Sequence, residues 1–318
     1  CLEVIRSGPP AFGATAEVDA KESLFWELKT LLWRDLQVDK VISAAQVADF
    51  IATAKAKCLP AVGPGADGAL TALRNLGEEK FAASDRTDAA IAAYRRLETV
   101  AVERNLITFD DMPMRAALLL RHEAGVRQHW QQRFQYVLVD EAQDLSPAQH
   151  EVARQLSGGY GNLMLIGDLA QAVYSFRGAD PKGFVDFVAA ASSVYRIRTN
   201  YRSAREICRR ATQCVGREAW NLSGAVLPHD GAPVGDRFTI YSEEHADADD
   251  EAAAVVASIQ TRQKHSKRWS DFAVLYRTTA QVRAIENALI EARVPYRIYA
   301  GRSFYERAEI LDILAYLR

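Results

Sequence analysis

The stretch that most restricts what this chain can fold into is Tyr136-Val137-Leu138-Val139, followed at once by Asp140-Glu141-Ala142-Gln143-Asp144. Four apolar residues without polar alternation predict a strand buried on both faces of a parallel sheet. Ser146-Pro147, with Gln149 three residues after the serine, reads as a capping box that opens a helix directly afterwards. In open α/β sheets, ligands collect beyond the carboxyl ends of the strands. Acidic side chains placed there can hold a hard cation and orient a water molecule. A strand ending in a solvated acidic turn is the alternative reading.

A second apolar run, Leu163–Ile166, ends at Gly167-Asp168, and Gln171 follows at the same predicted sheet edge. Tyr174, Phe176 and Arg177 then supply two aromatic rings and a guanidinium within four residues. Such a set suits stacking on the bases of a single strand. It equally suits two core aromatics beside a surface charge. Val194–Ile197 predicts a third strand, and a helix is expected from about Ser203. Arg196, Arg198 and Arg202 lie beside the strand end and the helix start, where helix N–H groups favour a phosphate. Tyr201 beside Arg202 offers a ring for a purine. Phe238–Tyr241, Phe272–Tyr276 and Tyr296–Tyr299 are further strand candidates, and 221–237 reads as a loop.

Upstream, from Asp19 to about Arg133, the pattern is helical throughout, with Ser43 and Gln46 forming another capping box. Val47, Phe50, Ile51 and Ala54 share one face, as do Ile91, Tyr94, Leu97 and Ala101. Strands alternating with helices after Phe134 argue for parallel α/β sheets, and a break near residue 198 argues for two lobes. A net charge of −2 gives no global sign of nucleic-acid binding, so any basic surface is local. Cys1, Cys58, Cys208 and Cys214 show no CxxC spacing, which argues against structural zinc and for a reducing, cytoplasmic setting. No stretch has the length of a membrane span. The acidic run Glu243–Glu251 reads as a solvated helix start.

The motifs Asp140-Glu-Ala-Gln-Asp144, Gly167-Asp-x-x-Gln171-x-Val-Tyr174-x-Phe176-Arg177-Gly-Ala179 and Asn200-Tyr201-Arg202-Ser203 occur in the order and spacing of UvrD/Rep-like superfamily 1 DNA helicases. Ile107-Thr-Phe109-Asp110-Asp111 resembles the family's phenylalanine-and-acid motif. Phe272–Thr278 and Pro295 through Arg307 resemble its second RecA-like lobe. The resemblance spans roughly residues 107–318. It implies an α/β fold of P-loop NTPase type: two RecA-like parallel-sheet lobes, both incomplete, with a helical insertion in the first. Residues 1–9 and 135–198 would belong to the first lobe, 10–134 to the insertion, and 199–318 to the N-terminal part of the second.

By the same resemblance, ATP and Mg²⁺ are the expected cofactors, and single-stranded DNA and its junctions with duplex are the expected partners. Asp140 would hold Mg²⁺ and Glu141 would polarise the attacking water. Gln171 would link the γ-phosphate to the DNA-contacting segment, Arg202 would contact that phosphate, and Tyr201 would stack on adenine. Tyr174, Phe176 and Arg177 would face DNA, as would Arg277 and Thr279. Three departures stand out: Ala172 and Thr279 occupy positions where the family usually has serine and often has asparagine, and no Gly-x-x-x-x-Gly-Lys-Ser/Thr is present. The phosphate-binding loop is expected upstream of Cys1, and this chain alone is expected to hydrolyse ATP negligibly. The function implied is an ATP-dependent 3′→5′ DNA helicase and translocase. The alternatives are a helicase subunit of a recombination helicase-nuclease and a non-catalytic single-strand-binding or regulatory module.

Overall fold

Local chemistry sets the helix starts. The computed structural model describes residues 1–12, 15–18, 41–175, 178–215, 227–231, 243–266 and 268–299. Its chain divides into two units, 1–235 and 236–318. In the first, α1 spans Leu2–Arg6, α2 Ala44–Ala56, α3 Ala66–Phe81 and α4 Ser84–Glu103. They are followed by α5 (Asp111–His122), α6 (Ala124–Arg133), α7 (Pro147–Ser157), α8 (Pro181–Ala190) and α9 (Arg205–Val215). Ser43 closes the expected capping box on α2: the Gln46 N–H donates to its Oγ at 3.3 Å, and its own N–H donates to Gln46 Oε1 at 3.0 Å. Ser146 and Gln149 do the same for α7, at 3.4 and 2.8 Å.

Among the described residues, two hydrophobic cores organise this unit. The first gathers Val47, Phe50, Ile51 and Ala54 of α2 with Leu73 of α3 and Ile91, Tyr94 and Leu97 of α4. The second gathers Ile5, Ile107, Met114, Leu119, Trp130 and Val152 from α1, α5, α6, α7 and the strand before α5. Each such side chain, when fully buried, stabilises the fold by about 1.5–3 kcal/mol before conformational entropy is counted.

Three parallel strand pairs accompany the helices among the described residues: β1 (Glu17–Val18) with β2 (Leu106–Ile107), β3 (Val137–Val139) with β4 (Leu163–Leu165), and β5 (Thr199–Asn200) with β6 (Leu227–Pro228). The first pair departs from the all-helical pattern expected up to Arg133. Asn105, at φ 54°, turns the chain out of α4, and its carbonyl accepts the Glu17 N–H at 2.8 Å.

The β3–β4 pair forms within the two predicted runs, each one residue shorter than expected, with α7 as the crossover between them. Burial on both faces is not found, since Tyr136 is 65% exposed, Leu138 64% and Met164 52%. The reason is that α7 packs on the pair while nothing among the described residues covers the other side. Among the described residues Val194–Ile197 forms no ladder, and Tyr195 and Ile197 are almost fully exposed. Apolar content alone makes no strand; backbone partners do, and they are found for Thr199-Asn200 inside the segment expected to be a loop. Phe272–Tyr276 and Tyr296–Tyr299 likewise form no ladders among the described residues, and Phe238–Tyr241 and Phe304–Arg307 lie outside those residues.

In the second unit, α10 (Ala248–Ser266) and α11 (Thr279–Glu291) pack together around Val256, Leu289 and Val294. The expected acidic helix start is present: Asp247 Oδ1 accepts the Asp249 and Asp250 N–H groups at 3.0 and 2.8 Å. Glu286 is buried in α11 and accepts the Tyr296 hydroxyl at 2.7 Å.

Candidate functional site

The carboxyl ends of β3 and β4 are joined by one buried amide. Gln143, 1% exposed, donates from Nε2 to Glu141 Oε2 at 2.6 Å and accepts the Asp168 N–H on Oε1 at 3.0 Å. The backbone reinforces the junction, with the Ala142 N–H on the Ile166 carbonyl at 2.9 Å. Gly167 is required there, because a Cβ would sit 2.7 Å from Gln143 Oε1. Glu141 itself is held in the left-handed region at φ 52° and ψ 40°. That conformation costs a non-glycine residue about 1–2 kcal/mol and persists only where its surroundings hold it. Here the neighbouring strand and Gln143 supply the hold. Sequence reading passed over Gln143; the signal was an amide placed between two acids at a strand end.

Asp140 and Glu141 are both exposed at this edge. Asp140 Oδ1 accepts the Glu141 N–H at 3.0 Å, leaving the second oxygen without a partner among the described residues. No group of three His, Cys, Asp or Glu residues able to hold a metal occurs among the described residues. The oxygen set still fits Mg²⁺, which is usually held by one or two carboxylates together with substrate phosphates. Gln171 reaches the same edge, donating from Nε2 to Asp168 Oδ2 at 2.9 Å, while Asp168 Oδ1 caps the short turn at the Ala170 N–H, 3.0 Å away.

Next to this edge opens a cavity of about 370 Å³, lined by Phe109, Asp110, Asp144, Gln149, Tyr174 and Ala179 among others. Phe109 and Tyr174 keep much of their rings exposed, at 62% and 42%. Asp144 does not cap α7, a role that Ser146 takes; its Oδ1 is buried without a hydrogen-bond partner among the described residues. Phe109 was legible only as part of a motif, and the structure puts it in the lining of the same cavity as Tyr174. Phe176 and Arg177 lie outside the described residues.

Beneath the Phe109 turn sits a buried charge network that sequence reading missed. The Lys55 ammonium, 2% exposed, lies 2.8 Å from Glu98 Oε1 and 2.7 Å from Asp111 Oδ1. Arg115 approaches Glu98 at 3.3 Å and Asp111 at 3.8 Å. Asp111 Oδ2 accepts both the N–H and the hydroxyl of Thr108 at 2.7 Å, which fixes the turn presenting Phe109. Burial alone would lower the Lys55 pKa, but Asp111 and Glu98 reverse this and drive it well above the ordinary lysine value. Burial likewise opposes ionisation of Asp111, yet Lys55 and Arg115 hold its carboxyl below the usual range. Sheltering raises the Asp110 pKa, with Lys55 opposing and Asp111 reinforcing.

Arg202 and Tyr201 lie on the turn between β5 and α9. Asn200 Oδ1 accepts the Arg202 and Ser203 N–H groups at 2.9 and 2.7 Å, which leaves Tyr201 projecting, 77% exposed. No hydrogen bond or ion pair links either residue to Asp140, Glu141 or Gln171 among the described residues. In the second unit, the Arg277 side chain is exposed and its N–H donates to Gln281 Oε1 at 3.0 Å. Thr279 opens α11, and its side chain lies outside the described residues.

Comparison with known proteins adds an independent observation. The family model described as UvrD/REP helicase N-terminal domain matches residues 42–191, and that of the UvrD-like helicase C-terminal domain matches 195–318. DNA helicase II of Haemophilus influenzae is 37% identical over 229 residues, covering 72% of this chain and 31% of its own length. DNA helicase II of Escherichia coli is 35% identical over 227 residues, 71% of this chain and 31% of that protein. ATP-dependent DNA helicase PcrA of Staphylococcus epidermidis is 31% identical over 228 residues, with the same two coverages of 71% and 31%. The chain thus spans about a third of the length of the curated relatives it matches. Among the described residues no helix is long and apolar enough to cross a membrane.

Proposed function

This chain belongs to the UvrD/REP-like helicase family, and from that membership we propose that the protein carrying it is an ATP-dependent DNA helicase. It would couple ATP hydrolysis to 3′→5′ movement on single-stranded DNA and to duplex unwinding. The observation that supports this best is the Gln143 bridge, which makes the carboxylates of β3 and the Asp168–Gln171 turn of β4 one rigid edge. Phosphoryl transfer needs mainly positioned charge. ATP with Mg²⁺ supplies the transferable phosphoryl group and neutralises its charge. Asp140 would hold the ion, Glu141 would take the proton of the attacking water, and Gln171 and Arg202 would meet the phosphate. Tyr201 stacks on the adenine.

The cavity beside that edge supports the DNA half of the reading. Two partly exposed rings, Phe109 and Tyr174, line it, and stacking of that kind tolerates any base. Phe176, Arg177, Arg277 and Thr279 extend the DNA contacts in this proposal. The segment Asp168–Ala179 carries both Gln171 and Tyr174, so a change at the phosphate is felt at the base. Residues 1–9 and 135–198 form the first lobe, 10–134 the insertion and 199–318 the second lobe. The passage from one family model to the other, between 191 and 195, falls close to that last boundary.

The test uses the full-length protein with a 3′-tailed duplex. Arg202→Ala is expected to abolish DNA-stimulated ATP hydrolysis while leaving single-strand affinity intact. Equal loss of both refutes the assignment of Arg202 to the phosphate. Robust turnover by residues 1–318 alone refutes the expectation that this chain by itself hydrolyses ATP negligibly.

A further inference from the structure

Tyr201 does not stand alone on its turn. Its ring is stacked on that of His229, with centroids 5.5 Å apart and planes 21° from parallel. The register of β5 with β6 explains why the two meet. Thr199 pairs with Leu227 and Asn200 with Pro228, so the next step beyond the ladder sets Tyr201 beside His229. The His229 N–H still donates to the Asn200 carbonyl at 3.2 Å, which carries the pairing that far. Adjacent strands lie 4.7–4.9 Å apart, so neighbours on one face stack without distortion.

Both residues are held from behind. Asn200 Oδ1 fixes the turn at the Arg202 and Ser203 N–H groups. His229 Nδ1 accepts the Gly231 N–H at 3.1 Å, which fixes the ring's rotation. One face of the tyrosine is therefore covered by an anchored ring, while Tyr201 as a whole stays 77% exposed. A ring so backed presents its other face as a fixed plane for a flat aromatic ligand.

We infer that His229 is a positioning residue for the nucleotide base: it locks the Tyr201 ring in the plane on which adenine stacks, and so sets preference for a purine. This rests on the assignment of Tyr201 to adenine above. Without His229 the tyrosine side chain regains rotamer freedom that the nucleotide must then remove on binding.

The experiment measures equilibrium binding of fluorescent N-methylanthraniloyl derivatives of ATP and CTP to the full-length protein, with steady-state ATP hydrolysis alongside. His229→Asn keeps an acceptor for the Gly231 N–H and removes only the ring. His229→Phe keeps a ring and removes the acceptor. His229→Asn is expected to weaken the ATP derivative about 2- to 10-fold, the range of an aromatic pair. It should leave the CTP derivative less affected, and raise KM for ATP with kcat unchanged. His229→Phe should bind ATP as the parent does. Equal weakening of both derivatives, or no rescue by phenylalanine, overturns the inference. If His229→Asn matches the parent while Tyr201→Ala loses the preference for ATP, the inference falls and the adenine assignment stands. If Tyr201→Ala also matches the parent, the adenine assignment itself falls, and the inference with it.

Discussion

Replacing Lys55 by methionine, nearly its equal in length, tests what the buried charge network contributes. The ammonium is within 2.8 Å of Glu98 Oε1 and 2.7 Å of Asp111 Oδ1, and neither oxygen accepts a hydrogen bond from elsewhere among the described residues. Removing one partner of a buried pair costs about 3–5 kcal/mol, because a charge is left uncompensated. Arg115 remains 3.3 Å from Glu98 and 3.8 Å from Asp111, so one cation then faces two carboxylates. The lower end of that range, about 3 kcal/mol, is therefore expected. Urea unfolding followed by circular dichroism measures it, and hydrogen exchange in α2, α4 and α5 localises it.

The double variant Lys55→Met with Glu98→Gln should recover part of the loss, since one orphaned charge is gone. The pH dependence follows from the two shifts. Asp111 is depressed when folded, so its contribution is present above about pH 3.9 and is lost as pH falls through the folded value. Lys55 is raised, so its contribution is complete below about pH 10.4 and is lost only as pH climbs through the folded value. The gap between parent and variant should thus form a plateau from weakly acid to weakly alkaline pH and narrow in acid. A Lys55→Met protein within about 0.5 kcal/mol of the parent at pH 7, the range of an ordinary surface change, refutes the reasoning.

Three further outcomes are expected. Glu141→Gln in the full-length protein should slow ATP hydrolysis by about 10²–10⁴, the contribution of a positioned general base, with ATP binding retained in equilibrium titration. Phe109→Ala and Tyr174→Ala should each weaken binding of an oligothymidylate by about 1–3 kcal/mol, read by fluorescence anisotropy at fixed salt; unchanged affinity in both rejects the cavity as a base site. Ser146→Ala should cost about 1 kcal/mol in urea unfolding, and Ser146→Asp much less, because only the cap to the Gln149 N–H is lost.

Much of the site was legible because its signals are local. A serine followed three residues later by glutamine caps a helix wherever it occurs, and both such boxes formed. The ends of β3 and β4 were legible for a similar reason: an apolar run meets an acid at each. What could not be read depends on residues far apart in sequence. Val194–Ile197 has strand composition but no partner among the described residues, whereas Thr199-Asn200 pairs with Leu227-Pro228 inside a glycine- and proline-rich segment. Lys55 and Glu98 look like solvated helix charges until three helices meet. A clue did exist in the phase: Lys55 follows Val47 and Ile51 at i+8 and i+4, and Glu98 follows Tyr94 at i+4, so both fall on buried stripes. Periodicity gave the face, and only packing gives the partners.

The uncovered side of β3 and β4 has a practical meaning for handling the chain. Tyr136, Leu138, Met164 and Ile166 are each at least 40% exposed, and they form a two-strand apolar surface whose edges have no partner strand among the described residues. Surfaces and edges of this kind drive self-association. Preparations of residues 1–318 should therefore show light scattering that climbs with concentration and a solubility ceiling set by one small patch. A single lysine in place of Leu138 should raise that ceiling while leaving Asp140 and Glu141 untouched.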